Sequence, residues 1–313
     1  MTVSADSPLA WPDGKRFAFT IFDDPDSQTW EAGREIYALL ADLGFHTTKG
    51  VWPMGPIRQP SDHGVTCALA GYANWLEQLA KQGFEIGYHN ATSHTCYRAE
   101  TQAGLEHFRA RFGRYPQTMA QHYYCDENLY WGDGRLSGWR RLAYNLLTRF
   151  NNHNKFFGDK PDHPYFWGDL CLDRITYCRS FTFKDINTLR AWRNFPYHDP
   201  QRPFVRNWYI SSEGSNRDRF CETVSERNQE RLESEGGLCI MYTHFGHGYY
   251  SGAIDKRFIA LMQRLSRRPG WFAPVGPILD YMRQQQGELV LDDAQRRRLE
   301  RRWLVHKLFY GTA

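Results

Sequence analysis

The sequence predicts an α/β protein whose parallel strands close into a barrel, and three observations lead there. Short apolar or β-branched runs alternate with stretches of helical spacing seven or so times along the chain. Several runs end abruptly in polar residues able to do chemistry, as strands do when they deliver side chains to one shared rim. The length, 313 residues, suits one barrel domain with long loops, and neither an internal repeat nor a linker divides it. An open doubly wound sheet is the alternative for the same alternation.

The first run, FAFTIF (17–22), is continuous rather than alternating, which marks a strand buried on both faces; it stops at Asp23-Asp24-Pro25-Asp26. Ile36, Leu39, Leu40 and Leu43 then share a helical face, and Gly44 stands where a left-handed cap belongs. A strand at 46–52 (HTTKGVW) is followed by a Gly/Pro-rich loop, 53–64. Tyr72, Trp75, Leu76 and Leu79 give the next helix before Gly83, and FEIGYH (84–89) the third strand. Helices are expected over about 98–112, 135–149 and 216–233, and strands at 118–124, 174–183, 204–211 and 238–244. Ile254, Phe258, Leu261, Met262 and Leu265 mark another helix, followed by a short WFAPV strand and a last helical region. Segments 151–173 and 190–203 are irregular excursions, of the length that decorating or covering loops have.

The whole chain, 1–313, reads as a single domain, with 286–313 a basic helical extension. There Leu299, Trp303 and Leu304 oppose several arginines, as in a solvated amphipathic helix docked on the barrel; contact with an anionic surface is the alternative. Net charge is 39 − 35 = +4, too small for a nucleic-acid-coating protein. No apolar run approaches the ~20 residues that span a bilayer, and the start lacks the marks of an export signal, so a cytoplasmic protein is expected. Seven scattered cysteines without a CxxC pair argue against a disulfide framework and a thiolate zinc cluster. Glycine-rich phosphate-cradling patterns are absent. Aromatic content is high at 16%; such rings fill cores or stack on sugars, and Tyr130, Trp131 and Trp167 are candidates for the second role.

On the expected rim stand Asp23 and Asp24 from the first strand, His89 and the nearby His94 from the third, His122 from the fourth, and His244 from a later one. Imidazoles with one carboxylate suit a borderline divalent metal, zinc foremost, which lowers the pKa of a bound water toward ~7. A second carboxylate could take the water's proton, and a histidine could protonate the leaving group.

FTIFDDPD, GFEIGYHNATSH and IMYTH resemble, in order and separation, three signatures of the polysaccharide deacetylase (NodB-homology) family over about 17–250. That resemblance implies a (β/α)7 barrel with long decorating loops and metal-dependent removal of acetyl groups from carbohydrates. It implies Asp23 as catalytic base, Asp24, His89 and His94 as metal ligands, and His244 as general acid. Three departures stand out: Pro25 replaces a glycine, the two histidines are five apart instead of four, and MAQHYYCDENLYWG replaces the arginine-bearing signature. His122 is the candidate to stand in for that arginine, or else packs as an ordinary side chain. Without a neighbouring cation, the pKa of Asp23 is expected to rise.

These readings lead to a metal-dependent hydrolase acting on a C–N bond, releasing an acyl group, N-acetyl foremost, from an amino sugar or glycan precursor. The alternatives are a small-molecule amidohydrolase on the same fold and a decayed, glycan-binding relative. A carbohydrate or small acylated substrate is the expected partner, with neither nucleic acid nor stable membrane insertion.

Overall fold

The computed structural model describes residues 9–312. Ten strands run in chain order: β1 (Phe17–Asp23), β2 (Thr48–Val51), β3 (Glu85–Tyr88), β4 (Thr118–Met119), β5 (Tyr177–Phe183), β6 (Tyr197–His198), β7 (Asn207–Glu213), β8 (Leu238–Thr243), β9 (Gly270–Trp271) and β10 (Leu289–Val290). Parallel pairing runs β8-β1-β2-β3-β4-β5-β7, and β7 returns to β8 through Ser212↔Met241 and Glu213↔Tyr242. The result is a closed barrel of seven parallel strands ringed by helices, as the alternation predicts. β6 lies antiparallel on β7, β10 follows β6, and β9 extends β1, so these three strands decorate the barrel without belonging to its wall.

Every residue of β1, β5, β7 and β8 is buried. A barrel strand faces the packed interior on one side and a helix on the other, so its apolar pattern is continuous. The helix Trp30–Asp42 buries Ile36, Tyr37 and Leu40 against this wall, and Thr29 caps it by accepting the Ala32 N–H. The helix Val275–Gln286 starts on the bottom of the barrel, where its first amides reach Thr48 Oγ1 (2.9 Å) and the buried Glu85 carboxylate (2.9 Å). A carboxylate at a helix N-terminus satisfies orphan donors and faces the positive end of the dipole.

Two expected elements differ. The strand read at 118–124 shrinks to Thr118–Met119, because Gln121 folds back to clamp the backbone N–H and C=O of Leu129 and sends the chain into a long loop. The polar helix read over 216–233 is two, Arg217–Thr223 and Glu226–Ser234. The C-terminal helix, Asp293–Tyr310, is docked as the extension was expected to be, with Leu299 and Trp303 inward and Arg297, Arg298, Arg301 and Arg302 outward. Arg296 departs from that pattern: it is buried on Asp199 at 2.7 Å. Among the described residues, no helix is long and apolar enough to cross a membrane.

Candidate active site

The C-terminal ends of β1, β3, β4 and β8 meet at one mouth, over a cavity of about 690 Å3 lined by Asp24, Asp26, His89 and His244 among others. Directly after β1 the chain turns, with the Gln28 N–H returning to the Pro25 carbonyl (3.2 Å) and Ser27 at φ 54°. This turn lifts Asp26 into the mouth. Gly246, in the loop after β8, lies against it so closely that a Cβ there would stand 2.3 Å from the Asp26 carbonyl oxygen.

Asp26 is the hub. Its Oδ1 lies 2.8 Å from His122 Nδ1, and its Oδ2 lies 3.2 Å from His89 Nε2 and 3.5 Å from His244 Nε2. His89 Nδ1 is 3.7 Å from Asp24, and His244 Nε2 is 3.9 Å from it. Both nitrogens of His89, Nδ1 of His122 and Oδ2 of Asp26 are buried yet aligned with no hydrogen-bond partner. Buried polar atoms are almost always paired, so orphans on three residues, Asp26, His89 and His122, that each bring one atom to a common point indicate a shared cation. The spacing agrees, since donors 2.0–2.1 Å from a tetrahedral zinc stand about 3.3 Å apart. The residues present therefore fit a divalent metal held by Asp26, His89 and His122, with Asp24 and His244 alongside.

Hydrogen bonds also set the tautomers. Ser61 Oγ donates to the Ser93 carbonyl (2.5 Å), so His122 Nε2 must donate to Ser61 Oγ (2.8 Å), which leaves Nδ1 bare toward Asp26. His244 Nδ1 donates to the Ser215 carbonyl (2.7 Å), leaving Nε2 toward the cavity and the Tyr242 hydroxyl (3.2 Å). Burial pulls the His122 pKa down, but the Asp26 carboxylate outweighs it and the net shift is upward. Burial pushes Asp26 the other way, and His89 and His122 hold it well below the ordinary carboxylate range. Without a metal, protons shared with the imidazoles do the cation's work. Asn90, in the left-handed region at φ 60°, accepts the His122 N–H (3.3 Å) and donates to Glu127 and Asn128, tying the third-strand loop to the fourth.

The sequence-predicted residues fall into two groups. His89, His122, His244 and Asp24 come together; His94 and Asp23 are placed elsewhere. His94 Nε2 accepts the Ile57 N–H (3.1 Å) and Nδ1 donates to the Thr95 carbonyl (2.9 Å), so neither nitrogen has a lone pair left for a metal. Its place in the cluster is taken by His122. Asp23 is fully buried behind the mouth: Oδ2 accepts from Lys49 (2.8 Å), Gln28 (3.1 Å) and Tyr37 (3.4 Å), and Oδ1 from the Phe245 N–H (2.8 Å). Its pKa is raised, but by burial and not by the expected lack of a neighbouring cation: Lys49 of β2 is that cation, and it opposes the rise. A second buried cation, Arg179 of β5, grips Asp24 through two nitrogens, at 3.1 and 2.5 Å. Trp131 lines the cavity, whereas Trp167 is buried on the Glu127 carbonyl.

Asp26 was missed although it stands in the FDDPD run itself. Lys49 and Arg179 left a subtler signal, a lone cation inside a strand that the fold buries on both faces, where it must find an anion.

The class defined by fold and site is thus a (β/α)7 barrel with a carboxylate–imidazole cluster at the carboxyl ends of its strands. Solved structures similar to it include two described as polysaccharide deacetylases. One, from Mycobacterium smegmatis and assigned as a polysaccharide deacetylase, has a TM-score of 0.52 at 12% identity, over 91% of this chain and 97% of its own. Another, from Pseudomonas aeruginosa PAO1 and assigned likewise, has a TM-score of 0.53 at 11% identity, over 90% and 96%. At such identities the likeness establishes the fold. No protein-family model and no curated protein matches the sequence.

Proposed function

We propose that this chain is a metal-dependent hydrolase that removes an acyl group, N-acetyl foremost, from an amino sugar or related carbohydrate. The observation that carries the reading is the set of buried, unpartnered nitrogen and oxygen atoms of Asp26, His89 and His122 at the floor of the cavity. A divalent cation held there supplies Lewis acidity and a water of lowered pKa. The remaining chemistry belongs to the chain's own groups. The cavity admits an acyl carbonyl beside Asp24 and His244. As a water oxygen bonds to the acyl carbon, Asp24 takes its proton; it faces the cavity, whereas Asp23 is sealed off by its four donors. The proton taken by Asp24 is relayed to His244 Nε2, 3.9 Å away, and the C–N bond breaks as Nε2 passes it to the departing nitrogen, with Ser215 holding the ring in orientation through Nδ1. Arg179 fixes the Asp24 carboxylate in place.

Elemental analysis of purified variants and turnover of acetylated amino sugars test this. Asp26→Asn and His89→Ala should lose both metal and activity, while His94→Ala retains metal. Retained metal in Asp26→Asn, or its loss only in His94→Ala, overturns the ligand set. The Arg179 clamp on Asp24 favours a second reading, a sugar-binding protein that no longer hydrolyses; stoichiometric metal with sugar binding but no turnover would decide for it.

A further inference from the structure

Five arginines are buried among the described residues: Arg135, Arg140, Arg179, Arg202 and Arg296. Four are neutralised by carboxylates: Arg140 by Glu300 (2.7 Å), Arg179 by Asp24 (2.5 Å), Arg202 by Glu300 (2.9 Å) and Arg296 by Asp199 (2.7 Å). Arg135 has no carboxylate partner among the described residues, and it is the one that shares the cavity with the metal-type cluster without being neutralised. Its guanidinium is sandwiched between the rings of Trp131 (4.1 Å) and Trp303 (4.6 Å). Nη1 makes only a long contact, 3.4 Å, to the Ser180 carbonyl; Nε has no partner; the Tyr144 hydroxyl stands beside the group. Ring faces favour a cation but do not fill its five in-plane donors.

Lys307, from the C-terminal helix, stands in the same wall. Its Nζ donates to the Thr312 carbonyl (2.7 Å) and lies over the rings of Trp303 (5.4 Å) and Tyr144 (6.0 Å), again with no carboxylate at ion-pair distance among the described residues. Burial first, and then the neighbouring Arg135 charge, lower its pKa to about 8. Arg135 is buried and Lys307 half-buried; Glu213, on the same cavity, offsets part of the Lys307 charge, and two like charges so held are costly unless a further anion joins them.

We propose that the substrate carries an oxyanion, a carboxylate or a phosphate ester, that seats on Arg135 and Lys307 while its acyl group lies at Asp24, Asp26 and His244. The planar guanidinium offers a fork that suits either oxyanion, and Lys307 adds a point charge. This deepens the hydrolase reading and rests on it for the acyl end, but the anion seat can be tested alone.

Titration calorimetry on the metal-loaded full chain, with inorganic phosphate, glucuronate and uncharged N-acetylglucosamine as probes, measures the seat directly. Phosphate or glucuronate should bind, whichever is tighter naming the source, and Arg135→Met should weaken that binding by at least about tenfold at unchanged metal content. Lys307→Met should weaken it less, and Arg135→Lys should keep part of it; these two decide the matter should Arg135→Met unfold. Equal affinity for charged and uncharged probes, or anion binding indifferent to Arg135→Met and Lys307→Met, overturns the proposal. Asp26→Asn separates the two readings. Anion binding that survives in a protein inert toward every acyl sugar would defeat the hydrolase and spare the seat. Turnover of anionic acyl sugars undiminished by Arg135→Met would do the reverse.

Discussion

Lys49 and Asp23 form an ion pair in which both side chains are fully buried. Removing one member of such a pair strands the other, so Lys49→Met should destabilise the fold by about 3–5 kcal/mol, readable in urea unfolding. Gly246→Ala acts differently: its Cβ would meet the backbone of Asp26, Ser27 and Gln28, all within 2.6 Å, and should push the turn out of place. Metal affinity should fall about 10–100-fold with the barrel's circular dichroism unchanged; unaltered metal affinity would show that the turn adapts. Lys307 gives a pH signature. Its folded pKa, about 8, lies below the unfolded value, so between about 8 and 10.4 the unfolded chain binds more protons and stability rises with pH. Below that window the full penalty applies, at most about 3 kcal/mol. Lys307→Met should flatten this slope in melting temperatures measured from pH 7.5 to 10.5. At this scale the sequence brought residues to the mouth where a residue type and a strand end coincided, as for His89 and His244; His122, read as the stand-in for an arginine, instead comes from the loop beyond the short fourth strand. The sequence was opaque where a spacing rule stood in for geometry. His94 sits near the expected spacing, yet backbone contacts to Ile57 and Thr95 consume its ring.

Between elements, Glu300 fastens the C-terminal helix. Fully buried, its carboxylate receives Arg140 (2.7 Å) and Ser137 (2.9 Å) from one stretch of chain and Arg202 (2.9 Å) from another. Glu300→Ala leaves the buried Arg140 without a carboxylate and Arg202 with Asp199 alone, and should cost about 3–5 kcal/mol, with the helix 293–310 the first segment cut in limited proteolysis. An unchanged cleavage pattern would show that Leu299 and Trp303 suffice to hold it. The helix itself could be read from its capping residues and apolar face; its ionic anchor could not, because Arg140, Asp199 and Arg202 lie some 90 to 160 positions away. The strands of the wall were legible from continuous apolar runs. The fourth was overextended because HYY has strand propensity, whereas Gln121 bonds its backbone partners in a loop.

At the scale of the whole molecule, a metal held as proposed would be coupled to stability. A ligand that binds only the folded barrel stabilises it by about 4 kcal/mol at a thousandfold excess over Kd. Chelation should therefore lower the melting temperature of the native chain and leave Asp26→Asn unmoved, as differential scanning fluorimetry can record; equal shifts in both would place the metal elsewhere. The topology was legible because alternation and length admit few closed solutions. The cavity was not, since its walls come from the mouth loops, β5, β7 and the C-terminal helix together, and no local pattern announces that meeting. If Arg135 and Lys307 seat an anion as proposed, that joint construction turns the pocket into a ruler, with the anion seat at one place and Asp24, Asp26 and His244 at another. A molecule bearing one negative group can enter only one way round. If it carries acyl groups at several positions, the one cut is the one whose separation from the charge matches the span between the two ends.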